Sequence, residues 1–162
     1  MTAEKLAQLL NMEPHPEGGY YAETYRAVDK IKRSDGVERA ASTCIYFLLP
    51  VGTYSSLHRI QSDEGWHFYR GCPLRIVELD PNDPGKSKTT IIHNDFEEGR
   101  RPQHIVPKNT WFAAEPIAQD GCEDFALVGC TVAPGFEFAE FELAPAGLIG
   151  DDHPYVHLMP KE

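Results

Sequence analysis

The chain has 162 residues, 41% of them hydrophobic, and carries 25 acidic against 15 basic side chains, a formal charge of −10. One domain of this length (1–162) buries roughly two thirds of its unfolded surface in a single core. The acidic balance repels a phosphate backbone and argues against nucleic acid as a partner. No apolar run reaches the ~18 residues of a membrane span, and the N-terminus MTAEKLAQLLNMEP lacks the basic start and apolar core of a signal peptide, so a cytoplasmic location and no membrane partner are expected.

In chain order, the first expected element is a short helix. Thr2 can cap it, Leu6, Leu9 and Leu10 recur at helical spacing, and Asn11 followed by Pro14 stops it. Everything after it reads as strands and turns. Period-two patterning predicts strands over 20–26, 43–49, 65–69, 74–79, 89–93, 104–106, 111–114, 125–132 and 137–143, with polar loops over 29–38, 80–88 and 116–123. Thirteen Gly and thirteen Pro, scattered along the chain, supply the turns that an all-β barrel needs. The four cysteines show no CxxC spacing and no nearby His pair. Cys44 and Cys130 sit in apolar runs and read as small buried hydrophobes, not as a disulfide or zinc site.

The densest chemistry lies in GTYSSLHRIQSDEGWHFYRG (52–71), where a Gly turn, His58, Ile60, Glu64 and Gly71 fall at fixed intervals. A second segment, PKNTWF (107–112), places Asn109 at a turn position and Phe112 three residues later. Asn tolerates the positive φ of such a turn. The spacing of the two segments resembles the paired signature motifs of the cupin superfamily. There, two histidines flanking one residue, a Glu and a further His hold a divalent metal inside a small barrel. Ile60 and Phe112 stand at two of those four positions, and neither can ligate, so no tightly held metal is expected.

The flanks sharpen the resemblance. PHPEGGYYAETYR (14–26), STCIYFLLP (42–50), HRIQSDEGWHFYRG (58–71), RPQHIVPKNTWFAA (101–114) and VGCTVAPGFEFAEFE (128–142) are similar to one small cupin-like family of unknown function, over most of the chain. The resemblance implies an all-β, single-domain, jelly-roll type antiparallel barrel behind a short N-terminal helix. It also implies a homodimer, related in shape to nucleotide-sugar epimerases and plant storage cupins.

Strand alternation assigns the faces. If Glu64 points inward, so do Trp66 and Phe68, while His67 and Tyr69 point out; Asp63 faces away from Glu64. His58 and Ile60 share a face. The expected barrel mouth is therefore His58, Glu64, Trp66 and Phe112, with Trp111 at the rim and Arg26 or Arg59 able to clamp an anion. Tyr21 and Tyr46 are candidate proton donors. A competing reading makes His58 and Glu64 a buried pair that only braces two strands.

The expected function is binding of a small polar organic ligand without a cofactor or tightly bound metal, a nucleotide or nucleotide sugar being the best guess. One alternative is a metal-independent nucleotide-sugar epimerase or isomerase with His58 as base. Another is a metal-dependent cupin oxygenase whose third ligand would be His67 or His104.

Overall fold

The computed structural model describes residues 1–161. Thr2 caps helix α1 (Ala3–Leu9), its hydroxyl accepting from the Lys5 N–H at 3.2 Å, and Asn11 closes the turn after it with φ 52°. The buried stripe is Ala3, Leu6 and Ala7, spaced i, i+3, i+4. Leu9, expected on that stripe, is instead 61% exposed, because a helix this short turns only one narrow face to the barrel.

Thirteen strands follow: β1 (Glu13–Pro14), β2 (Tyr20–Arg26), β3 (Lys30–Lys32), β4 (Glu38–Ala40), β5 (Thr43–Pro50), β6 (Ser55–Arg59), β7 (Asp63–Gly71), β8 (Leu74–Leu79), β9 (Ser87–Ile92), β10 (Gln103–Val106), β11 (Phe112–Pro116), β12 (Phe125–Ala133) and β13 (Glu142–Leu143). They form a six-stranded sheet in the order β1-β2-β5-β12-β7-β10, a five-stranded sheet in the order β13-β6-β11-β8-β9, and the small hairpin β3-β4. Every strand pair is antiparallel. This is the all-β, cupin-type barrel expected from the sequence.

The two large sheets face each other across the main core. Phe47, Leu49, Trp66 and Phe68 come from one sheet; Leu74, Ile76, Phe112 and Ala114 come from the other. Trp66 and Phe112 meet edge to face with centroids 6.0 Å apart and planes at 88°, the arrangement the ring quadrupoles favour. The outer faces are only partly covered. Helix α1 packs on Leu48, Phe125 and Leu127 of the first sheet. Ile149 and Leu158 of the C-terminal segment pack on Leu57, Val77 and Leu79 of the second.

The faces follow the alternation: Trp66 and Phe68 are in the core, His67 bonds Thr131 Oγ1 at 2.8 Å on the outside, and Tyr69 is exposed. Asn109 takes φ 60°, and Asp63 points out to accept from the Lys108 N–H at 2.9 Å.

Three expectations need correction. Residues 137–143, expected as a strand, form a 3-10 turn (Phe138–Glu140) and then the two-residue β13. The alternating Phe side chains there pack on one another, and Glu140 is held by Arg33 and Arg39 in place of a neighbouring strand. The loop expected over 29–38 contains the β3-β4 hairpin, whose polar strands lack a hydrophobic pattern and turn through Gly36 at φ 85°. Strand β6 carries Leu57 as its single aliphatic side chain. The sequence pattern does not mark it, because pairing with both β11 and β13, not apolar alternation, holds it in place.

Candidate functional site

The site is assembled by a turn. After β1, Gly18 and Gly19 take φ 113° and 74°, and a Cβ on Gly19 would collide with the backbone of β5. Only glycine admits this close approach. The turn folds residues 15–17 inward and presses Glu17 against β6. The Glu17 carbonyl accepts from the Ser56 N–H at 2.8 Å and from Ser56 Oγ at 3.1 Å, two residues before His58.

Glu17 and His58 thus meet in the interior, 5% and 2% exposed. His58 Nδ1 lies 2.6 Å from the Ser56 carbonyl, which can only accept, so Nδ1 carries a proton. Nε2 lies 2.8 Å from Glu17 Oε2. That oxygen is fully buried and the contact is not aligned as a hydrogen bond, so the attraction is mainly Coulombic and Oε2 retains accepting capacity. Burial disfavours both charges. For His58 the Glu17 charge outweighs it and raises the imidazole above its ordinary value. For Glu17, burial is likewise outweighed, chiefly by the charge of His58, which holds the carboxyl below the usual range. The pair is imidazolium and carboxylate.

Two further groups complete the cluster. His15 Nδ1 accepts from the Glu17 N–H at 3.1 Å, and burial lowers its pKa against the pull of Glu17, so it is neutral. Glu64, on β7, is pushed up to about 8, chiefly by burial and further by the Glu17 charge, with His58 opposing. It is a carboxylic acid at neutral pH. Cys130 lies beside it, its thiol raised by burial and by the nearby carboxyls.

These groups line a cavity of about 290 Å³ walled by Tyr21, Phe136, Phe138 and Phe141. Phe141 stacks on His58 with centroids 5.2 Å apart. Arg26 stands at the rim, pairing with Glu23 at 2.7 Å and Glu137 at 3.1 Å and donating to the Phe136 carbonyl at 3.0 Å.

Of the expected site residues, the cavity brings together His58, Glu64, Tyr21 and Arg26. The others stand elsewhere. Trp66 and Phe112 are fully buried beneath the site, Phe112 supporting the His58 ring at 4.2 Å. Arg59 pairs with Glu142 at 2.8 Å and lies over Trp111 at 4.3 Å, so Arg59 and Trp111 hold each other outside the cavity. Tyr46 is on the outer face against Tyr69. Strand parity sends even positions of β5 outward, which a propensity argument alone does not resolve.

Sequence reasoning missed His15, Glu17 and Phe141. The PHPEGG segment holds the only available signal: two ionisable residues just before a Gly pair that permits close approach.

Cupins commonly hold a divalent metal at this depth, and the donor set here does not fit one. Ile60 and Phe112 replace two ligand positions, and both His58 nitrogens are engaged, by Ser56 and Glu17. Among the described residues no group of three His, Cys, Asp or Glu is placed to hold a metal ion. His67 faces the outer side of the sheet, and His104 bonds Glu78 at 2.8 Å, so neither supplies a third ligand.

A family model described as "Cupin superfamily (DUF985)" matches residues 4–144. The chain belongs to this family. Among solved structures, this cupin is similar to a hypothetical protein from Leishmania major, at 34% identity over 89% of this chain and 88% of that one, with a TM-score of 0.81. It is also similar to a protein from Shewanella oneidensis, at 36% identity over 89% and 85% of the two chains and a TM-score of 0.78. An oxalate decarboxylase from Lactobacillus farciminis, in a formate complex, shares only the fold: identity is 15%, coverage 82% and 33%, and the TM-score 0.56. No curated protein matches the chain. Among the described residues no helix is long and apolar enough to cross a membrane.

Proposed function

We propose that this cupin binds a small polar organic molecule in the cavity between β2, β6 and residues 136–141, and acts on it by proton transfer without a metal. The observation that carries this reading is the convergence of Glu17, His58 and Glu64, all buried, on one aromatic-walled cavity. Apolar walls with a few convergent polar groups are the usual composition of ligand sites, and perturbed titrations mark functional clefts. At about 290 Å³ the cavity sits at the lower end of the roughly 300–1,000 Å³ typical of such sites, so it takes a molecule about the size of one sugar ring. A nucleotide or nucleotide sugar would keep its phosphates outside the cavity.

The isomerase or epimerase reading is favoured by one further observation. Glu17 is held below and Glu64 raised to about 8, a pair of carboxyls pushed apart as acid and base are in proton-transfer sites. Because His58 enters as an imidazolium, the accepting group is Glu17, steadied by His58, and the donor is Glu64. This departs from the expectation of His58 as base.

A thermal-melting screen of sugars, organic acids, amines and nucleotides tests the binding reading. A ligand at a hundred times its dissociation constant adds about 2.7 kcal/mol of stability. The best ligand, incubated in heavy water, should take up deuterium with wild type and not with Glu17→Gln. If no small molecule shifts the melt of wild type, the proposal fails.

A further inference from the structure

The lining of the cavity says which charge its ligand carries. Around the mouth stand three carboxylates, Glu13, Glu23 and Glu137, and one guanidinium, Arg26. That guanidinium is already committed. Its Nη1 donates to Glu137 at 3.1 Å, its Nη2 to Glu23 at 2.7 Å and to the Phe136 carbonyl at 3.0 Å, and its Nε to Glu23 at 3.4 Å. An anion entering here would have to strip Arg26 from two carboxylates and approach the third, Glu13. Deeper in, Glu17 is neutralised by His58, and neutral Glu64 adds no positive charge.

The walls point the same way. Tyr21 and Phe138 stand with centroids 6.1 Å apart at 70°, Phe138 and Phe141 at 6.3 Å and 66°, Phe136 and Phe141 at 6.4 Å and 71°. Successive rings are steeply inclined, and the neutral His15 ring sits among them, 4.9 Å from Tyr21, 5.7 Å from Phe138 and 5.8 Å from Phe141. Their π faces carry partial negative charge, and a cation within about 6 Å of such a face is attracted to it. Carboxylates at the rim supply the long-range attraction and the rings supply the desolvated contact.

We propose that the cavity takes an organic cation, an alkylammonium or quaternary ammonium group, seated against Tyr21, Phe138 and Phe141 beneath the Glu13, Glu23 and Glu137 rim. This deepens the functional reading above and rests on the same cavity.

Isothermal titration at low salt with choline, its uncharged isostere 3,3-dimethylbutan-1-ol and inorganic phosphate tests the proposal. Choline should bind, the isostere should bind at least tenfold more weakly, and phosphate should not compete. Phe138→Leu, at a half-exposed position that keeps its bulk, should weaken choline about 2- to 30-fold and leave the isostere unchanged. Equal binding of choline and the isostere, tighter binding of phosphate, or an unaltered choline affinity in Phe138→Leu overturns the cation assignment. If sugars or acids from the wider screen bind and choline does not, the pocket reading stands and the cation reading alone fails.

Discussion

Replacing Glu64 by Gln should remove a pH dependence of folding that the wild type carries. Glu64 titrates near 4.5 when unfolded and at about 8 in the folded chain, because burial penalises its charge. A carboxyl raised in this way contributes stability that is complete below pH 4.5. That stability is lost as pH rises toward 8, since the unfolded chain releases the proton while the folded one must keep it. Carrying a carboxyl from 4.5 to about 8 corresponds to a ceiling on the order of 5 kcal/mol.

Gln has the shape and hydrogen-bonding capacity of the neutral acid but never ionises. The two proteins should therefore be about equally stable at pH 4.5, with Glu64→Gln pulling ahead by several kcal/mol at pH 8.5. At about 2–4 °C per kcal/mol for a domain of this size, that is a gap on the order of 10 °C in Tm. Only the difference between the two curves is diagnostic. His58, also raised, loses its contribution as pH rises through its folded value, and Glu17, held low, loses its own as pH falls. Melts followed by Trp fluorescence from pH 4.5 to 8.5 measure it directly, Trp66 being fully buried in the core. Parallel curves across that range would show that Glu64 is already ionised in the fold and would refute the reasoning.

Gly71 takes φ 102° and a Cβ there would run into the Phe125 carbonyl, so Gly71→Ala should cost about 3 kcal/mol or more in urea titrations, against about 1–2 kcal/mol for Gly99→Ala, which has the same sign of φ but open space. His58→Ala strands a buried carboxylate, which predicts a loss of about 3–5 kcal/mol at pH 7. His58→Ala with Glu17→Gln should recover much of that loss while leaving the ligand site inactive, and a double variant as unstable as the single one would contradict the ion pair. Light scattering should give a dimer of the 18.2 kDa chain, since the outer sheet face leaves Tyr25, Tyr69 and Ile105 exposed; a monomer at micromolar concentration counts against it. Elemental analysis after dialysis should find well under one equivalent of transition metal, because Ile60 and Phe112 replace ligands; near one equivalent would revive the oxygenase reading.

Most of the barrel was legible because its determinants are local. Period-two alternation along β7 placed Glu64, Trp66 and Phe68 inward and His67 outward without reference to any partner. The positive φ of Asn109 and the loss of ligands at Ile60 and Phe112 could be read from side-chain chemistry alone.

What the tertiary structure decided was everything that depends on approach between distant segments. Glu17 reaches His58 only because a glycine turn lies flat on β5 and Ser56 fastens the Glu17 carbonyl, an encounter across 41 positions that no period encodes. The aromatic wall at 136–141 is a turn and not a strand, because its neighbours are rings and arginines and not a sheet edge. The charge states follow from the same cause: the sequence names three ionisable residues, but burial depth and the spacing between them make one an imidazolium, one a carboxylate and one a neutral acid.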